Sequence, residues 1–152
     1  MYILIYAEVE KGKLKKDCFE LASYASTVAD SLELEVHAVC FNADNAEELS
    51  NYGVKKIYHY KNKNYLNFDV TVYSDYISKI FTEKFRFLIL SSSSNSRYLG
   101  GILSVKLNAS YISNVISKVK SNSSITVVRN SFTNKAFEIV EALEENVILS
   151  IA

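Results

Sequence analysis

FLILSSSSNSRYLGGILSVKL, residues Phe87–Leu107, decides the reading of the fold. Its first four residues are an unbroken apolar run, as expected of a strand covered on both faces. Ser91-Ser92-Ser93-Ser94-Asn95 follows, a cluster of turn and helix N-cap residues. From Ser96 onward Leu99, Ile102, Leu103 and Leu107 recur at helical spacing, so one helix face packs on a sheet. Asn108 stands where a left-handed residue commonly closes a helix. The stretch therefore reads strand, serine turn, helix. Open α/β sheets place their ligands where the carboxyl end of a strand feeds a helix N-terminus. A site belonging to this chain is expected here.

The same alternation extends upstream. Tyr2–Ala7 is an apolar run and a first strand, followed by the charged loop Glu8–Lys13. Lys15–Leu32 carries Cys18, Leu21, Ala22, Ala25, Val28, Ala29 and Leu32 at helical spacing. Glu35–Phe41 reads as a strand, Asp44–Tyr52 as a short helix closed by Gly53, and Val54–Tyr60 as a strand. Lys61–Asn67 is a polar loop, and Asp69–Lys84 is a helix with Tyr73, Tyr76, Ile77 and Ile80 on one face. Strand–helix units of this kind build a mostly parallel open sheet with right-handed crossovers and helices on both faces. Downstream the pattern changes. After a strand at Ser110–Ile112, the segments Asn114–Lys120, Ile125–Ser131, Lys135–Ala142 and Val147–Ile151 are β-prone with no helix between them. They are expected to add short antiparallel C-terminal strands at the sheet edge.

Composition narrows the function. At 152 residues the chain suits one domain with a sizeable core, and 49% hydrophobic with 22% charged residues is a globular profile. Zero net charge and a pI near 6.7 leave no electrostatic footprint for nucleic acid or an anionic membrane. There is no proline and there are four glycines, none clustered as a dinucleotide fingerprint or a Walker-type phosphate loop requires. No apolar run approaches the roughly 18 residues that span a bilayer. The opening MYILIYAEVE reads as a strand, not a signal peptide, and the widely spaced Cys18 and Cys40 suit a reducing compartment. A cytoplasmic location follows as the expectation.

The candidate chemistry is sparse. His37 and His59 have no carboxylate or cysteine at metal-ligand spacing and read as structural or surface residues. The serine run lacks the flanking glycines of a nucleophile elbow, so no catalytic residue is assigned and no enzyme is expected. Glu138, Glu141, Glu144 and Glu145 read as a solvated face. The strongest local signal is Ser93, Ser94 and Arg97 at a helix N-terminus, where hydroxyls, backbone N–H groups and a guanidinium can hold an anion such as a cofactor phosphate. The competing reading has Ser94 capping the helix and Arg97 pairing with a neighbouring carboxylate.

At these residues the chain resembles the N-terminal domain of the electron transfer flavoprotein α subunit. The resemblance is carried by Ala7-Glu8 with Gly12-Lys13-Leu14-Lys15, by Glu35-Val36-His37-Ala38, by Tyr52-Gly53, and by the serine–arginine turn Ser93-Ser94-Asn95-Ser96-Arg97-Tyr98-Leu99. Ser113-Asn114-Val115, Arg129, Phe132 and Lys135-Ala136 continue it, in order, to the end of the chain. The family's turn glycine is Ser96 here, the acid after the arginine is Tyr98, and the aspartate near Ser113 is Asn114. The resemblance implies a three-layer sheet of the adenine nucleotide alpha hydrolase-like or flavodoxin-like kind. It also implies a structural role in an FAD-dependent electron carrier between dehydrogenases and a quinone reductase. It further implies that residues 1–152 form one domain without the FAD-binding C-terminal domain, and that the β subunit is the partner. No flavin is then expected on this chain alone. A stand-alone AMP- or ATP-binding protein of the universal-stress type is the alternative, and the glycine-free Ser91–Ser96 turn counts against it. Val127, Val128, Phe132, Phe137, Ile139 and Val140 are many large apolar residues for edge strands, so self-association or β-subunit binding through Asn114–Ala142 is expected.

Overall fold

A computed structural model describes residues 1–152. In chain order its elements are β1 (Tyr2–Tyr6), β2 (Val9–Glu10), β3 (Lys13–Leu14), α1 (Asp17–Leu32), β4 (Glu35–Phe41) and β5 (Val54–Tyr60). Then come α2 (Val70–Ile80), β6 (Phe85–Leu90), α3 (Ser94–Lys106), β7 (Ser110–Val115), β8 (Lys120–Ser121), β9 (Ile125–Ser131), β10 (Ala136–Ala142) and β11 (Val147–Ile151). The main sheet runs β10-β9-β7-β11-β6-β1-β4-β5, with β8 beside β9. From β7 to β5 every neighbouring pair is parallel. The expected α/β architecture, a mostly parallel sheet between two helical layers with antiparallel strands added, is the observed one.

Burial explains the strand order. β1, β6 and β11 read YILIY, FRFLIL and VILSI, and nearly all their residues are buried. Such runs need cover on both faces, which only central positions supply. One layer packs α1 and the Ala46–Tyr52 segment against Ile3, Ile5, Ala38, Phe87 and Leu149. The other packs α2 and α3 against Leu4, Val39, Leu88, Leu90 and Ile148. Leu99 and Leu103 of α3 are completely buried, and Asn108 closes that helix at φ 50°.

Three details differ from the sequence expectation. Val147–Ile151 is not an antiparallel edge strand: it returns to the sheet interior, parallel between β6 and β7. Its apolar run has no alternation, so an edge position would have left one face of it in water. The charged loop after β1 folds into a two-stranded antiparallel ribbon, β2–β3, with Lys11 and Gly12 in left-handed conformations at its turn. The short helix before Gly53 is a 3-10 segment, Ala46–Tyr52. Gly53 itself has φ 92°, the left-handed region that favours glycine, and a Cβ there would displace the Ser26 hydroxyl.

The β9–β10 ribbon is the least covered part of the sheet. Its ladder pairing with the parallel strands is limited to Val115–Arg129, beside which the Ile116 N–H donates to the Val128 carbonyl at 2.9 Å and the Val128 N–H to the Ser117 hydroxyl at 2.8 Å. Arg129 reinforces that join: Nε donates to the Ser113 carbonyl at 3.0 Å, Nη2 to the Ser113 hydroxyl at 3.2 Å, and Nη1 meets Glu138 at 3.4 Å. Strand alternation then divides the apolar residues of the tail. Val127 is buried and Val140 packs against the core, while Phe132, Phe137 and Ile139 stay 76%, 73% and 81% exposed.

Candidate functional site

The chain runs from β1 through α1 to β4 on one side, and from β6 through α3 to β7 on the other. β1 and β6 are neighbours, so the crevice at their carboxyl ends is the point where the winding reverses, the usual ligand position of such sheets. Two loops meet there: Ala7-Glu8 leaving β1, and Ser91–Ser93 leaving β6.

The Glu8 carboxylate lies in this crevice, with its side chain 8% exposed. Its Oε1 accepts from the Ser91 hydroxyl at 2.7 Å and from the hydroxyls of Ser93 and Ser96. Its Oε2 faces the Lys15 ammonium at 3.3 Å. Each donor is itself fixed. The Ser91 carbonyl accepts from the buried Ser150 hydroxyl of β11 at 2.9 Å. Ser93 caps α3, its Oγ accepting from the Ser96 N–H at 3.1 Å. Ser96 is completely buried in the first turn of the helix. The Glu8 backbone is tied as well, its carbonyl accepting from the Lys15 N–H at 2.9 Å and from the Cys18 thiol at 3.2 Å. Burial works to raise the Glu8 pKa, but the hydroxyls of Ser93, Ser96 and Ser91, with Lys15, outweigh it and hold the carboxyl below its ordinary value. The partial positive charge of the α3 N-terminus acts in the same direction. Lys15 is raised in turn, its own desolvation being outweighed by Glu8.

The three residues singled out in the sequence are not equivalent. Ser93 is the cap and a donor to Glu8. Ser94 and Arg97 lie exposed on the first turn, and Arg97 forms no ion pair. The capping residue is Ser93 and not Ser94. Sequence reasoning missed Glu8, Ser91, Ser96 and Ser150 as parts of one cluster. One signal was present: a carboxylate directly after the apolar strand Tyr2–Ala7, at the sheet's ligand edge, where a charge needs partners.

The other polar candidates are structural. Nε2 of His59 accepts the Ala43 N–H at 2.9 Å, and burial together with Lys61 lowers its pKa, so the ring is neutral with its proton on Nδ1. His37 is buried against Tyr2, at 4.2 Å between ring centroids, and its Nε2 meets Glu35 at 2.8 Å. Burial pushes the thiols of Cys18 and Cys40 up to about 12, which leaves them inert as nucleophiles near neutrality. No group of three or more His, Cys, Asp and Glu side chains is placed to hold a metal. An open cleft of about 900 Å³ lies at the carboxyl ends of β4 and β5, lined in part by Lys11, Asn42, His59, Lys61 and Lys63. No helix is long and apolar enough to cross a membrane.

The fold and crevice together define a three-layer α/β domain whose ligand edge is closed by an internal carboxylate. Residues 3–152 match the electron transfer flavoprotein domain family, and the chain belongs to that family. It is 33% identical over 85 residues to the electron transfer flavoprotein subunit alpha of Megasphaera elsdenii. That match takes in 54% of this chain and 25% of the relative, so the matched region is about a quarter of the curated subunit's length. The crevice residues do not fit the phosphate of a flavin nucleotide, the kind of group the family name implies. Glu8 stands at the helix N-terminus that a diphosphate would need, and its charge would repel one.

Proposed function

We propose that this chain is the N-terminal domain of an electron transfer flavoprotein α subunit and binds a β subunit through the outer face of the β9–β10 ribbon. It acts there as a structural part, without catalysis, of an FAD-dependent carrier between dehydrogenases and a quinone reductase. The flavin is held elsewhere in the full subunit. The single observation supporting the docking face is the outward row of Phe137 and Ile139 on β10, with Phe132 at the ribbon turn and Leu143 beyond β10. Val128, paired with Ile139 across the ribbon, is part of the same strip. Exposed apolar surface on an edge ribbon marks an interaction site. Phe132, Thr133 and Asn134 hold three successive left-handed conformations at the turn, φ 51°, 56° and 62°, which fixes where Phe132 projects.

Sedimentation across a concentration series, with and without the cognate β subunit, tests the reading. The expected result is a complex with the β subunit that Ile139→Asp weakens about tenfold or more. A monomer at every concentration that ignores the β subunit overturns the partner role, whereas self-association alone assigns the face to a second copy. The purified chain is expected to carry no flavin. An absorbance band in the visible that follows the protein through gel filtration contradicts that.

A further inference from the structure

We infer that Glu8 is the resident ligand of the β1–β6 crevice: the domain fills its own oxyanion seat with a side-chain carboxylate and thereby shuts phosphorylated ligands out of the position its topology would give them. The seat is built around an anion. Hydroxyls from Ser91, Ser93 and Ser96 converge on one oxygen, Lys15 faces the other, and two of those serines are the cap and first turn of α3. Ser91 and Ser96 are more than nine-tenths buried, and so is the Glu8 side chain. These donors come from three levels of the structure: a strand end propped by Ser150, a helix cap, and a buried first-turn position of the helix. Each is held by contacts that do not involve Glu8, so the seat should keep its shape when the carboxylate is removed.

The chemistry of an oxyanion and a carboxylate is shared here: delocalised negative charge, oxygen acceptors, and a demand for several short-range donors. A phosphate could not enter while Glu8 is present, because the hydroxyls are already donating and two anions would share one desolvated pocket. Glu8 also explains the serines. Four serines after a buried strand invite a phosphate loop, yet two of them, Ser91 and Ser93, are turned inward with Ser96 onto one carboxylate.

Chemical rescue tests this. Wild type, Glu8→Ala and Glu8→Gln are melted at pH 7 in sodium chloride, sodium formate and sodium phosphate at equal ionic strength. Phosphate raises the Tm of folded proteins generally by exclusion from their surface, so the readout is the gain over chloride relative to wild type. Glu8→Ala should gain several degrees more than wild type in formate or phosphate. Glu8→Gln, which keeps the volume but not the charge, should fall in Tm and gain no more from either anion than wild type does. If Glu8→Ala is unfolded in chloride, formate should restore its fold. Failure of both anions to restore Glu8→Ala, or to raise it by more than they raise wild type, overturns the inference. In parallel, amide resonances of Ser93–Arg97 in wild type are followed during titration with AMP. They should not move, and saturable shifts there overturn it as well.

Discussion

Two regions of this domain hold side chains against their ordinary preference for solvent. The β1–β6 crevice keeps a carboxylate in the interior, and the β9–β10 ribbon keeps phenylalanine and isoleucine in water. The crevice resolves its conflict internally, since every Glu8 oxygen meets a hydroxyl or an ammonium. The ribbon does not resolve its own: Phe137 and Ile139 face outward beside Val128, and nothing in the chain covers them. A satisfied buried charge points inward, to architecture. Uncovered apolar strand positions point outward, to another chain.

The largest effect is expected on the resolved side. Leu103 is completely buried on the face of α3 that packs against β6, β7 and β11. Leu103→Ala should cost about 2–5 kcal/mol in urea melts through lost burial and a cavity. A cost below roughly 0.5 kcal/mol, the level of ordinary surface changes, would show that the helix carrying the seat is not anchored in the core. Gly100→Ala on the same helix comes next. A Cβ there would stand 2.9 Å from both Leu90 Cδ1 and Tyr111 Cζ. Overpacking of this kind costs about 1–3 kcal/mol, and a variant as stable as wild type would mean that these neighbours yield freely.

Glu8→Gln tests the charge itself. The Glu8 pKa is lowered on folding from an ordinary value of 4.5, so its contribution is complete above that value and is lost as pH falls through the native pKa. The variant should therefore lie about 1–3 kcal/mol below wild type at pH 7, and the gap should close as pH falls below 4.5 toward the native pKa. A gap constant down to acid would mean that Glu8 acts by shape and not by charge. The smallest effect belongs to the unresolved side. Ile139→Asp should change the stability of the isolated domain by no more than about 0.5 kcal/mol, even if it weakens the proposed β-subunit complex. A large loss of stability would show that Ile139 packs within its own fold and would erase the contrast between the two regions.

Much of this was legible in advance. The helical spacing of Leu99 and Leu103 placed both at the sheet, and Gly53 and Asn108 were readable as left-handed helix ends. The central place of β11 is hidden because the segments around Val147–Ile151 are edge-like, although its own pattern is not. The unbroken run that marked Phe87–Leu90 as central is present in Val147-Ile148-Leu149 too. The tail's apolar residues were legible as a set, but their division was not, since alternation assigns faces without saying which face the core covers. Val127 went inward and Ile139 outward because β9 meets β7 at Val115 and Arg129 locks that join to Ser113.

By itself the sequence determined what depends on local pattern: which segments are strands or helices, where they stop, that the sheet is mostly parallel, and that the serine turn lies at its ligand edge. Periodicity and capping are properties of neighbouring residues, and they survive without tertiary context. Only the tertiary structure decided what occupies that edge. Glu8 lies 83, 85 and 88 positions before Ser91, Ser93 and Ser96, and nothing local to either stretch links them. Their meeting follows from the parallel pairing of β1 with β6, which brings two strand ends together and leaves a carboxylate and three hydroxyls in one largely buried crevice. There the cost of burying the charge is met by the donors within reach.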